Sequence, residues 1–271
     1  MLGELALGNG LGLGPLLRWP GGKARFAGRV VPRIPKHRVY CEPFFGGGAL
    51  FFAKPEAKVS ILGDVTKKTI AFHDQVRRGA LRRCREGVTV GPAAFKKGED
   101  GKAKSACDVL AWTMSSYHGS ITPSGRSSKH GGRQKMRHLK EYEGMLRRAF
   151  LTLGDFARTV SKADRRGGRE AFYFLDPPWP GLQGYSKKYT KMGGADEKGA
   201  TPARVRKVMD DVKGKVWVVY NDHPEVREAF CEGKKGKWKC YGLKQNVQHG
   251  TGGMQKKPWI LATNYNLKGK R

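Results

Sequence analysis

The chain has 271 residues, enough for one sizeable core and a smaller second lobe. Its 53 Lys and Arg against 23 Asp and Glu leave a formal net charge of +30, spread along the whole sequence, and a charge of that sign points to a polyanionic partner. No apolar stretch is long enough to span a bilayer, residues 1–17 lack the basic lead of a signal peptide, and the five cysteines form no Cys-x-x-Cys pair and no zinc-ligand spacing with His, so they read as reduced thiols in a cytoplasmic protein without a metal site.

In chain order, the first expected strand covers residues 38–44 and runs into Glu42-Pro43-Phe44-Phe45-Gly46-Gly47-Gly48, followed by an apolar run that opens a helix. Strand, glycine turn and helix N-terminus together form the nucleotide-cofactor seat of doubly wound sheets, because glycines let the backbone approach a ligand. A second strand, 58–64, ends at Asp64, 22 residues after Glu42, where an acid can accept hydrogen bonds from ribose hydroxyls.

Residues 77–148 carry 17 Lys and Arg against 6 Asp and Glu and show no clear buried strand. Helical pieces at 109–117 and 139–150 flank a polar stretch, 118–137, that cannot bury itself, and the region reads as a separate basic lobe. His118, His130 and His138 in it read as solvated side chains.

Strands at 150–155 and 171–176 follow, and the second ends in Asp176-Pro177-Pro178-Trp179. Two prolines fix the backbone there. An exocyclic amine on a base is a poor nucleophile because its lone pair is delocalised into the ring. A rigidly held carboxylate and backbone carbonyl that accept its two N–H groups localise that pair, and Trp179 offers a face on which an extruded base stacks.

Residues 185–189, with Tyr185, Lys187, Lys188 and Tyr189, read as a lid against nucleic acid. Thr201 caps an amphipathic crossover helix with Val205, Val208, Met209 and Val212 on one stripe, a fifth strand covers 215–221, and His223 is a turn residue. Runs at 238–247 and 258–265 pair as a terminal hairpin. The alternation gives an α/β fold, a doubly wound Rossmann-like sheet.

Taken in order, the motifs resemble the Dam-like family of adenine-N6 DNA methyltransferases. Arg18-Trp19-Pro20-Gly21-Gly22-Lys23 resembles its K-W-x-G-G-K segment, and residues 42–48 resemble E-P-F-x-G-x-G. Asp64 resembles the acid after the second strand, Asp155-Phe156 the D-F pair, and Asp176 to Trp179 resembles D-P-P-Y. Residues 219–222 and 263–265 resemble S-N-x-D and the closing N-Y. Trp179 in place of Tyr, and Pro20 in place of a small residue, are departures.

The resemblance implies a methyltransferase sheet over residues 1–76 and 149–271, with a mainly helical target-recognition lobe at 77–148. It assigns Trp19, Lys23, Phe44, Gly46, Gly48, Asp64, Asp155 and Asp176 to S-adenosylmethionine, and Asp176, Pro177, Pro178 and Trp179 to catalysis on the target base. Duplex DNA with a flipped adenine is the expected partner, met by Arg126, Lys129, Arg133, Lys135, Lys187 and Lys188, with the oligomeric state left open. No cysteine follows a proline, which excludes a cytosine-C5 nucleophile, and Asp176 stands where cytosine-N4 enzymes usually have Ser. RNA adenine-N6 methylation, a catalytically inactive nucleic-acid-binding protein with the same fold, and a NAD(P)-linked enzyme are the competing readings.

Overall fold

The structure, a computed structural model, describes residues 12–19, 22–116, 127–181, 197–232, 237–249 and 252–267. The chain opens with α1 (Ala24–Val30), β1 (Val39–Glu42), α2 (Ala49–Ala53), β2 (Val59–Asp64) and α3 (Lys67–Arg77). The basic insert contributes β3 (Val88–Val90), α4 (Pro92–Glu99), α5 (Ala106–Met114), β4 (Ser128–Gly131), α6 (Arg133–Met136) and α7 (Leu139–Arg147). After it come β5 (Ala149–Leu153), α8 (Phe156–Gly167), β6 (Ala171–Leu175), a helix over Pro202–Asp210, β7 (Lys215–Asn221), a short helix over Pro224–Phe230, and the hairpin β8 (Lys239–His249) and β9 (Gly252–Thr263).

Seven strands form one sheet in the order β5-β2-β1-β6-β7-β9-β8. The first five are parallel, and β9 runs antiparallel to both β7 and β8. Every residue of β1 and β6 is buried, as expected of parallel strands covered on both faces. From β1 the chain winds outward through β2 to β5, and from β6 it winds the other way to β7. The order therefore reverses between β1 and β6, and the crevice at their carboxyl ends is where a doubly wound sheet binds its ligand. Glu42 ends one of these strands and Asp176 follows the other.

The expected doubly wound sheet and closing hairpin are both present, and Thr201 caps its helix by accepting a hydrogen bond from the Arg204 amide, with Val205 and Met209 fully buried. His223 likewise caps Pro224–Phe230. Two expectations are corrected. The insert does contain a strand pair, β3 with β4, antiparallel; both are only three or four residues long, too short for period-two alternation to stand out in the sequence. The cysteines are not all free thiols. Cys84 is joined to Cys107 and Cys231 to Cys240, across Cα separations of 6.3 and 5.6 Å, and only Cys41 is free among the described residues. Neither pair has a spacing that signals a bridge; the fold brings the first together by laying α5 beside the turn at Ala80–Cys84.

The insert shares the main core. Tyr142 on α7 meets Phe52 on α2 edge-to-face at 4.9 Å, and Leu110, Trp112, Met145 and Leu146 join the cluster containing Phe45, Leu62 and Phe174. No helix among the described residues is long and apolar enough to cross a membrane.

Candidate active site

The glycine turn after β1 is held from three sides. Gly46 donates its N–H to Asp64 Oδ2 at 2.9 Å, its carbonyl lies 2.9 Å from His73 Nε2, and Phe45 N–H donates to the Gly63 carbonyl at 2.8 Å. Gly46 has φ +47°, and a Cβ there would lie 2.8 Å from the Trp19 indole; a Cβ on Gly47 would lie 2.5 Å from the Leu17 carbonyl oxygen. Both positions therefore require glycine. The segment before Trp19 is tied into the same corner by the Leu16 N–H on the Gly47 carbonyl at 3.0 Å.

These elements line an open cleft whose walls include Trp19, Lys23, Glu42, Phe44, Gly46, Gly48, Phe174 and Asp176. Expected cofactor residues Trp19, Lys23, Phe44, Gly46, Gly48 and Asp176 are thus brought to one cavity. Asp64 and Asp155 are not on its wall. Asp64 is 2% exposed and spends its second oxygen on the Thr66 N–H at 2.8 Å, so it shapes the glycine turn from behind. Burial pushes its pKa up, opposed by the Gly46 and Thr66 amides. Asp155 caps α8 through the Ala157 N–H and receives the Arg204 guanidinium at 2.8 and 3.0 Å, which holds its carboxyl below the usual range. Beside it, Phe156 stacks on Phe44 at 5.2 Å.

At the cleft's floor, Lys23 Nζ meets Asp176 Oδ2 at 2.7 Å. The ammonium lies 4.5 Å from the centre of the Trp179 ring and 5.1 Å from that of Trp259, an arrangement in which two π-faces share one cation. Trp179 donates its indole N–H to Asp176 Oδ1 at 3.3 Å. Burial raises the Asp176 pKa and lowers that of Lys23, and their contact opposes both effects. Asp176, 18% exposed, is therefore paired with a lysine that is itself only 3% exposed.

Glu42 is a cavity residue to which the sequence reading gave no role of its own. It is 3% exposed and accepts the Tyr40 hydroxyl hydrogen bond at 2.7 Å. Burial pushes its pKa up to about 8, with the Asp176 charge adding to the rise and Tyr40 opposing it. Trp259, also missed, lies on β9, outside every motif in the sequence. Its signal, a single aromatic in a hairpin strand, is indistinguishable from core packing.

Among the expected DNA contacts, Lys129 and Arg133 are exposed, and Arg133 lies 3.5 Å from Glu86. Lys135 departs from expectation: its ammonium turns inward to the Pro15 carbonyl, and burial, with Arg18 nearby, lowers its pKa to about 8. Arg126, Lys187 and Lys188, together with Pro20 and Gly21 of the first motif, His118, and Tyr185 and Tyr189, lie outside the described residues.

A cavity at the switch point of a doubly wound sheet, with a proline-flanked acid on its wall and an aromatic beside that acid, is the arrangement expected of a methyltransferase acting on an amine of a base. Comparison with known proteins gives the same class. Residues 19–99 match the family model of the D12 class N6 adenine-specific DNA methyltransferases. The chain is 24% identical over 284 residues to the Type II methyltransferase M.MjaIII of Methanocaldococcus jannaschii, covering 84% of this chain and 97% of that protein. It is 23% identical over 237 residues to the DNA N-6-adenine-methyltransferase of Escherichia phage P1, covering 79% of this chain and 31% of that longer protein. The family read from the motifs is the one these comparisons return, and the enzyme class is N6 adenine-specific DNA methyltransferase.

Proposed function

We propose that the cleft binds S-adenosylmethionine and that Asp176 to Trp179 present a flipped adenine of duplex DNA to it. The observation that carries this reading is the Asp176 carboxylate on the wall of the same cavity as Phe44 and the glycine turn. The residues present fit the cofactor, because the glycines leave backbone exposed to a ligand that side chains at Gly46 or Gly47 would displace, and Trp19 and Phe44 give flat apolar faces. Trp19, Lys23, Phe44, Gly46 and Gly48 hold it directly, while Asp64 acts through the glycine turn and Asp155 through Phe156.

When bound, S-adenosylmethionine supplies an electrophilic methyl on a positively charged sulfur. The protein's part is positional and electrostatic. The Asp176 carboxylate and the Pro177 carbonyl accept the two N–H groups of the adenine amine, which turns its lone pair out of the ring. Pro177 and Pro178 keep these acceptors from drifting, and Trp179 stacks on the base. Burial raises the Asp176 pKa, and the Lys23 ammonium opposes that rise and so favours the charged acceptor. The basic residues 77–148 form the target-recognition lobe, where Lys129 and Arg133 contact phosphates, and the enzyme works in the cytoplasm of a prokaryotic or virally infected cell.

The test is transfer of tritiated methyl to duplex DNA, with the labelled base identified after digestion. Label in N6-methyladenine that disappears in Asp176→Ala supports the reading; label on cytosine or on RNA alone defeats it.

A further inference from the structure

Pro177, Pro178 and Pro180 have no backbone N–H, so three of the five residues from Asp176 to Pro180 cannot pin the catalytic loop by donating hydrogen bonds. Beyond the Asp176 carboxylate, held by Lys23 and the Trp179 N–H, the loop is fixed through its carbonyls and its rings. One anchor is the Asn221 amide, which donates from Nδ2 to the Pro180 carbonyl at 3.1 Å. A second is Trp259, which meets the Trp179 ring edge-to-face at 5.0 Å and 80° and closes over the Lys23 ammonium. These two residues are cross-strand partners, Asn221 at the end of β7 opposite Trp259 on β9. Trp259 is 6% exposed and rests in turn on Phe26 of α1 at 6.1 Å between ring centroids.

We infer that Asn221 and Trp259 are positioning residues of the catalytic loop, one fixing its backbone beyond the prolines and the other fixing the plane of Trp179. The antiparallel strand β9 thereby has a task beyond closing the sheet: it presents an aromatic wall that sets the angle of the base platform. Neither residue touches the base or the cofactor, so each acts on the rate of the bound complex. The inference rests on the proposed role of Asp176 and Trp179.

The test compares Trp259→Leu, Trp259→Phe and Asn221→Leu with the unaltered protein in steady-state methylation of duplex DNA, with Asp176→Ala as a control. Thermal melts report folding. We expect kcat to fall about ten- to hundredfold in Trp259→Leu and Asn221→Leu, the scale of a loop misplaced by about 1 Å. KM for S-adenosylmethionine should stay within about twofold, and Trp259→Phe should recover most of kcat by keeping a ring against Trp179. Full kcat in folded Trp259→Leu and Asn221→Leu overturns the inference, as does a raised KM for the cofactor with kcat intact. If Trp259→Leu fails to fold, Asn221→Leu and Trp259→Phe decide. Survival of activity in Asp176→Ala is a different result, because it defeats the proposed function itself.

Discussion

The catalytic corner and the basic insert manage their charges in opposite ways. At the corner, Lys23, Asp176 and Glu42 are withdrawn from water, and their ionisation is set by burial and by one another. In the insert, charge is abundant and mostly exposed, and part of it is internally matched, as where Asp108 takes Lys97 and Glu86 lies against Arg133; buried Glu143, which takes both Arg82 and Arg147, is an exception. A buried charge without its partner costs several kcal/mol, whereas an exposed pair contributes about 0 to 1 kcal/mol. Single substitutions should therefore act steeply at the corner and shallowly in the insert, where effects add up over many residues.

The largest expected effect is Asp176→Ala, which should lower kcat by at least about a hundredfold, the scale seen when a preorganised polar group is removed. DNA binding in a gel shift should persist. Loss of both together would mean that the corner also docks DNA. Next comes removal of Cys84–Cys107, whose sequence separation is 23 residues. The double change Cys84→Ser with Cys107→Ser should cost about 3 kcal/mol by the loop-entropy relation, read as a lower denaturation midpoint. An unchanged midpoint would show that the insert is held by its core contacts alone.

Glu42→Gln sharpens the contrast through pH. The folded pKa of Glu42, about 8, lies above its ordinary value of 4.5, so the folded state holds an extra proton between those values. The stability this contributes is complete below about pH 4.5 and is lost as pH rises toward 8, with a slope of up to about 1.4 kcal/mol per pH unit. Denaturation curves across that window should flatten in Glu42→Gln; an unaltered slope would show that Glu42 is ionised in the folded protein. The smallest effect is expected from Lys129→Gln with Arg133→Gln. DNA affinity should fall modestly and the salt dependence should lose about two phosphate contacts, with kcat unchanged at saturating DNA. A collapse of kcat would make these residues part of the chemistry.

What was legible in the sequence divides along the same line. Strands β1, β2, β6 and β7 were visible because a parallel strand buried on both faces is a continuous apolar run, β5 because its run is apolar although it is the sheet's edge and exposes Phe150 and Leu153, and the acids that follow these strands marked the ligand edge. Asp176 and the glycine turn were visible because their chemistry needs neighbours in sequence. Trp259 and the two disulfides were not, since each depends on partners brought close only by folding; Asn221 stood in the motif at 219–222, but its bond to the Pro180 carbonyl was not legible. Asp64 and Asp155 were found in place but engaged in different contacts, as a carboxylate's neighbours cannot be read from its type. Lys135 shows the same limit for charge, because a basic residue in a basic region still turned inward.

The contact between Tyr142 and Phe52, with the apolar cluster continuous on both sides of it, has a practical consequence. The segment between β2 and β5 is no detachable reading head. A chimera that exchanges it for another sequence must carry matching residues on α2 as well. Grafts cut at the charged surface would leave a hole in the core that backs the glycine turn.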